Sequence, residues 1–210
     1  YMHNVLTLWF QYIIAKECKG ECFLVVYADD FIAGFQYPWE AERFYEQLRS
    51  RMAKFGLELE ENKSRIVESG RYLASLKAKR GESTRLGTFD FLGFTFYCGR
   101  TTKGNPWIMP KTSSKKFRQK VKEIKIWLYN NKEQKLGKLM YMLNVKLVGH
   151  YRYYGISFNS RMISNYKQQV RELLYKVLNR RSEKKSYTRE GFIEMMKYYK
   201  LVNPKIYYSL

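Results

Sequence analysis

Residues 21–35 read ECFLVVYADDFIAGF. Glu21 to Tyr27 is an aromatic and β-branched run, Phe31 to Phe35 is a second, and Ala28, Asp29 and Asp30 lie between them, which is the pattern of a β-hairpin with acids at its tip. Adjacent carboxylates repel, and desolvation raises the cost of ionising both; a cation removes that cost. Magnesium takes hard oxygen ligands, usually one or two carboxylates plus substrate phosphates, and a pair of such ions steadies both oxygens of an in-line phosphoryl displacement. Asp29 and Asp30 are therefore candidate metal ligands. A plain turn is the competing reading, because Asp is favoured in hairpin loops. The setting favours the metal: an apolar strand before, a second strand after, and a strongly basic segment downstream.

Working outward, Val5, Leu8, Trp9, Tyr12 and Ile13 have helical spacing and predict an amphipathic opening helix ending near Lys19 and Gly20. On the other side, Pro38 suits a first helical position, Ala41, Phe44, Tyr45, Leu48, Met52 and Phe55 form one apolar stripe, and Gly56 ends it. Both helices are expected to cover the sheet. Leu57 to Leu59 and Arg65 to Glu68 read as short extended pieces, and Lys77 to Thr84 as a loop. Phe89 to Phe96 (FDFLGFTF) alternates around Gly93 as a tight bent hairpin would, and Trp107 to Met109 is a last strand before Pro110. Beyond residue 111 the apolar spacing is helical throughout: Phe117, Val121, Ile124 and Leu128, then Leu136, Leu139, Met140, Leu143 and Leu147, then Ile163, Tyr166, Val170, Leu173 and Val177. Thr188 can cap a final helix holding Phe192, Ile193 and Met196, with Asn203 and Pro204 ending it. The expected fold is α+β, with an antiparallel sheet and covering helices over residues 1–110 and an all-helical module over 111–210.

At 210 residues and 45% hydrophobic content the chain can bury a real core, and no apolar run approaches the roughly 18 residues of a membrane span. A disulfide-stapled miniature and a membrane-spanning protein are both excluded. Residues 1–110 hold 15 basic and 13 acidic side chains, whereas residues 111–210 hold 24 and 6, so the second half carries nearly all of the +20 net charge. That lopsidedness is the footprint of a phosphate-backbone binder rather than of a merely soluble surface. Three cysteines, Cys18, Cys22 and Cys98, cannot all pair and suit a reducing compartment, so the protein is expected to be cytoplasmic. With only His3 and His150 as further soft donors, none at zinc-site spacing, all three read as ordinary thiols.

Four segments resemble, in family order, the motifs of reverse transcriptases, specifically the group II intron-encoded type with its maturase or thumb region. Tyr27-Ala28-Asp29-Asp30 resembles the palm YxDD motif. Residues 56–64 (GLELEENKS) resemble the motif that follows it, and Phe91-Leu92-Gly93-Phe94 the primer-grip hairpin. Residues 149–155 (GHYRYYG) resemble the tyrosine-rich segment of the maturase region. The resemblance implies a partial polymerase palm over 1–110, a helical thumb over 111–210, and RNA-directed DNA synthesis on two magnesium ions, one of them partly supplied by residues not in this sequence. In the family a further metal-binding aspartate comes from an earlier palm strand, preceded by the fingers. The opening residues offer no match, so the chain is expected to be a C-terminal portion that does not polymerise by itself.

The resemblance also assigns roles. Asp29 and Asp30 would hold magnesium, with Tyr27 and Ala28 against the primer end. Lys63 would contact phosphate or act as general acid toward the leaving pyrophosphate, a solvated surface lysine being the alternative. Phe91, Leu92, Gly93 and Phe94 would lie near primer backbone, where Gly93 permits approach, unless they simply pack. Arg152, Tyr153 and Tyr154 combine rings with charge, the mix that holds unpaired or A-form nucleic acid, although core packing could absorb the rings. The cluster that includes Lys111, Lys115, Lys116, Arg118 and Lys122, together with the basic residues from Arg171 to Arg189, would grip the backbone of an RNA template with its DNA primer, or of intron RNA. Two other activities stay open: a maturase-like module that stabilises folded intron RNA without synthesis, and an RNA-dependent RNA polymerase. Neither a membrane partner nor an oligomeric state is implied.

Overall fold

The computed structural model describes residues 1–60, 64–82, 86–180 and 186–209. The protein is mixed α and β, as anticipated, and divides into two compact units. The first comprises Tyr1–Phe91 and Arg100–Pro106; the second comprises Leu92–Gly99 and the chain from Trp107 onward.

The first unit opens on a helix whose turns are mostly π-helical, His3–Thr7 and Phe10–Ile14, before a short α-helical end, α1 (Ala15–Glu17). The wider turn shifts the buried face. With i to i+5 bonding, residues four and five apart line up, so Val5, Leu6, Trp9, Phe10 and Ile14 are buried while Tyr12 and Ile13 are exposed. An α-helical spacing had placed Tyr12 and Ile13 inward. Strands β1 (Cys22–Tyr27) and β2 (Asp30–Phe35) then pair antiparallel, from Cys22 with Phe35 to Tyr27 with Asp30. Helix α2 (Pro38–Lys54) begins with Pro38 in its first turn, where a missing N–H is harmless. It stops in a Schellman motif: the amides of Gly56 (φ 67°) and Leu57 donate to the carbonyls of Ala53 and Met52. Phe44, Leu48 and Met52 are its buried stripe, against which Trp9 stacks on Phe44 at 5.7 Å. Phe55 lies past the last helical turn and is exposed.

One further expectation fails in this unit: a helix, α3 (Arg71–Lys79), occupies a segment read in part as loop. Leu57–Leu59 and Arg65–Glu68, read as short extended pieces, join no sheet among the described residues. Strand β3 (Phe89–Phe91) ends the unit's main segment, and strands β4 (Phe94–Arg100) and β5 (Pro106–Thr112) are neighbours in a sheet.

In the second unit, helices α4 (Ser114–Asn130), α5 (Leu136–Tyr154), α6 (Ser160–Leu178) and α7 (Arg189–Tyr198) enclose one core. Leu128, Leu139, Leu143, Leu147, Val170 and Leu174 are fully buried in it. On α6 the inward residue is Leu174 rather than Leu173, because a straight α-helix drifts away from a strict a/d repeat. Ser113 caps α4 by accepting from the Lys116 amide, and Thr188 caps α7 by accepting from the Gly191 amide. Of the apolar residues expected inside α7, Phe192 is buried and Ile193 is exposed. That helix stops at Tyr198, before Pro204, and Asn144 then holds the following strand of chain through the Lys200 carbonyl and the Val202 amide.

Candidate catalytic hairpin and nucleic-acid interface

The β1–β2 hairpin presents its two acids through local geometry. Alternation along β1 sends Cys22, Leu24 and Val26 onto the apolar core, while Phe23, Val25 and Tyr27 stand on the exposed face. Tyr27 pairs with Asp30, so Ala28 and Asp29 alone make the loop and Asp30 begins β2. Ala28 takes φ 51°, a left-handed conformation that costs an L-residue about 1–2 kcal/mol. Such an outlier persists only where the surrounding structure imposes it, and functional sites are where outliers collect. At the other end of the ladder Phe23 lies over Gly34, where a β-carbon would overlap its ring unless that exposed ring moved.

Both Asp29 and Asp30 are exposed, and neither carboxylate has a hydrogen-bond or ion-pair partner among the described residues. Two hard, unneutralised oxygen donors side by side fit a magnesium ion that also takes substrate phosphates. No group of three or more His, Cys, Asp or Glu side chains comes together among the described residues. Lys63 lies outside the described residues.

What braces the hairpin was not read from the sequence. Glu40, 1% exposed, accepts from the Lys19 amide at 2.6 Å and the Gly20 amide at 3.2 Å through Oε1. It thereby fastens α2 to the turn that feeds β1. A glutamate at the start of a helix looks like an ordinary dipole partner; its burial depends on a loop 20 residues away. Arg51 donates from Nε to the Val5 carbonyl at 2.6 Å and lies over the rings of Trp9 and Phe55. The three cysteines are free, and burial together with a hydrogen bond to Cys22 pushes the Cys18 thiol up to about 11, leaving it protonated and unreactive.

The second unit brings together residues that the sequence keeps 60 apart. Leu92 (φ 49°) and Gly93 (φ 78°) form a two-residue turn with positive φ at both positions, the signature of a type I′ hairpin. Tyr153 donates from its hydroxyl to the Leu92 carbonyl at 2.9 Å, and the Ser113 amide donates to the Gly93 carbonyl at 2.9 Å. The Phe94 ring stacks on Tyr153 at 5.9 Å and tilts against Tyr154 at 5.3 Å. A β-carbon on Gly93 would stand 3.2 Å from the Tyr154 hydroxyl and 3.5 Å from Cγ of Lys116. The open space expected at Gly93 is thus occupied on that side by this protein's own side chains. Tyr154, 4% exposed, has no ring face left for a base and positions the turn instead, whereas Tyr153 and Arg152 are exposed.

Asn159 is the hub that sequence reading missed. Fully buried, it accepts from the Thr112 amide at 2.8 Å and donates to the Thr112 hydroxyl and the Tyr154 carbonyl at 2.9 and 2.8 Å. It joins β5 to the end of α5. His150 stacks on Tyr166 with centroids 3.7 Å apart, and burial, helped by Lys120, lowers its pKa to about 4, so it is neutral at physiological pH. Around this frame Lys111, Lys115, Lys116, Arg118 and Lys122 are all exposed. Lys111 lies over the Tyr97 ring at 5.0 Å, and the one acid of α4, Glu123, is held by Lys120 at 2.8 Å.

Comparison with known proteins finds a separate family model for each of two parts of the chain. Residues 1–96 match the family model described as reverse transcriptase (RNA-dependent DNA polymerase), and residues 114–199 match the maturase-specific domain of group II introns. No curated protein and no solved structure matches the chain. The first match puts these acids and their hairpin among the reverse transcriptases. With the second, the chain belongs to the group II intron reverse transcriptase/maturase family.

Proposed function

We propose that this chain supplies the YxDD part of the palm and the helical thumb of an RNA-directed DNA polymerase of group II intron type, acting on an RNA template with a DNA primer. The observation that carries this reading is the pair of exposed, unpartnered carboxylates at a strained hairpin tip, within a segment that matches the reverse transcriptase family. Asp29 and Asp30 would hold magnesium, which when bound supplies positive charge to the oxygens of the phosphoryl transfer. Tyr27, exposed beside them, offers a ring to the primer end. The Leu92–Gly93 turn, fixed by Tyr153 and Ser113, presents backbone of defined shape, and the exposed basic residues of α4 bind phosphate without regard to sequence.

RNA-templated extension by the full-length protein tests this. Asp29→Asn with Asp30→Asn should lower deoxynucleotide incorporation at least about a thousandfold, the scale on which removing charge stabilisation at a reacting centre acts. Incorporation at the wild-type rate would overturn the polymerase reading, and preferential use of ribonucleotides would reassign it to an RNA-dependent RNA polymerase.

One observation favours a second reading. Among the described residues no third metal-binding side chain joins Asp29 and Asp30, while α4, α5 and α6 together carry only Glu123 and Glu172 as acids. A maturase that stabilises folded intron RNA through those helices needs no metal chemistry. Splicing assistance that survives the double Asn substitution would support that role alongside, or in place of, synthesis.

A further inference from the structure

We infer that the cleft between the opening helix and α2 is a binding site for a short peptide with both ends free, held in extended form. The cleft lies within the first unit and involves neither the acid pair nor the basic helices.

Arg51 meets Val5 and Trp9, whereas Glu40 meets Lys19 and Gly20, so α2 runs antiparallel to the opening helix. Between the two is a cleft of about 380 Å³, walled by Trp9 and Ile13 on one side and by the Glu46 to Lys54 stretch of α2 on the other. That volume falls in the range of small-ligand sites. π-Helical turns are rare and occur most often at functional sites. Here the turn Phe10–Ile14 brings Ile13 out of the core and leaves it 45% exposed on the cleft wall. The packing of the unit gains nothing from that exposure.

The polar groups of the cleft are uncommitted. Gln47 is half-buried, its Oε1 is shut off from solvent without a donor, and its amide makes no hydrogen bond among the described residues. A buried oxygen without a donor is costly, and a ligand N–H removes that cost. Arg51 donates from Nε to the Val5 carbonyl, and no carboxylate neutralises its guanidinium among the described residues. Lys54 and the Glu46 carboxylate, both exposed, are equally unpaired there.

Their order along the cleft selects the ligand. Glu46 stands at one end, and Arg51 and Lys54 lie five and eight residues further on, about 7.5 and 12 Å along the helix axis. With the helices antiparallel, Ile13 faces the Glu46 end beside Gln47, and Trp9 faces Arg51. An extended tripeptide spans about 10 Å. It carries in sequence an ammonium group, an apolar side chain, peptide N–H groups and a carboxylate, which complement Glu46, Ile13, Gln47 and the Arg51–Lys54 pair. Guanidinium and ammonium donors bind a carboxylate through charge-assisted hydrogen bonds, and capture of a chain end is a recurrent mode of peptide recognition. A nucleotide would want a free aromatic face, but the Trp9 ring already stacks on Phe44 and carries Arg51. A metal ion would want more than the one carboxylate that lines the cleft.

NMR of the complete chain, reading the Ile13 methyl and Trp9 indole N–H signals, provides the test, with the tripeptide Leu-Ala-Ala as probe. Both signals should move saturably, half-complete near about 1 mM. Amidating the peptide's carboxyl end should weaken binding about tenfold, and acetylating its amino end about threefold, because Glu46 is the more exposed anchor. Lys54→Glu changes an exposed side chain and leaves the fold in place; it should weaken the free peptide about tenfold and the amidated one less than about twofold. No saturable movement of either signal up to about 20 mM overturns the inference. So does equal affinity for free and amidated peptides, or undiminished affinity in Lys54→Glu. Equal affinity for the acetylated peptide would assign the cleft to the carboxyl end of a longer chain, and equal movement with sodium acetate would make it a general anion site; either overturns the short-peptide assignment.

Discussion

The acidic hairpin and the tyrosine-rich corner of the helical unit build their sites in opposite ways. Asp29 and Asp30 are presented by a four-residue stretch whose geometry is local, with nothing among the described residues gripping their side chains. The Leu92–Gly93 turn is held by partners about 60 residues downstream in Tyr153 and Tyr154, and about 20 downstream in Ser113, with Asn159 behind them. On the proposed reading, a site that is to accept cations keeps its donors unsatisfied, and a site that is to offer a fixed backbone shape has its own polar groups satisfied. The first is therefore sensitive in function and tolerant in stability, and the second is the reverse.

Substitutions can break this contrast. The largest stability effect belongs to Asn159→Ala, which strands the Thr112 amide in the core, removes one of the two hydrogen bonds to the Tyr154 carbonyl, and should cost about 3 kcal/mol by urea unfolding of the full chain. A loss near zero would show that the corner is not held from behind. Acid should reproduce part of that effect. His150 is neutral in the fold, with its pKa lowered to about 4, and binds a proton near pH 6.5 when unfolded. Its contribution is thus fully present above about pH 6.5 and is lost as pH falls toward 4, by up to about 3 kcal/mol. His150→Phe should flatten that stretch of the pH–stability curve, and an unchanged curve would contradict the assignment.

Smaller effects sharpen the contrast from the other side. Tyr153→Phe removes one hydrogen bond to the Leu92 carbonyl and should cost about 1 kcal/mol in the same unfolding assay. Ala28→Gly should gain up to about 1 kcal/mol by relieving the positive φ, measured as a raised denaturation midpoint, while loosening the acids that Ala28 aligns. A destabilised Ala28→Gly would mean that the loop is not strained.

How much of this was legible in the sequence follows the same line. The hairpin, its acids, the Gly56 helix stop and the Thr188 cap are local patterns, and each occurs where it was read. The phase of the opening helix was misread because π-helical turns change which residues align, so Tyr12 and Ile13 lie outside. Glu40 and Asn159 were invisible for another reason: a buried polar residue announces itself only through partners, and Lys19 and Gly20 for the one and Thr112 for the other lie 20 or more residues away in the chain. Tyr154 illustrates the limit of composition, since a tyrosine suited to stacking on a base is also suited to filling a core.

Division of labour between the two regions is tested most directly by manganese bound to the full-length protein with primed RNA template, followed by electron paramagnetic resonance. The tightly held manganese signal should disappear with Asp29→Asn and Asp30→Asn and persist when Lys115, Lys116, Arg118 and Lys122 are changed to Ala and enough template is supplied to saturate binding. A signal that survives loss of both aspartates would contradict the assignment of the hairpin tip as the metal site.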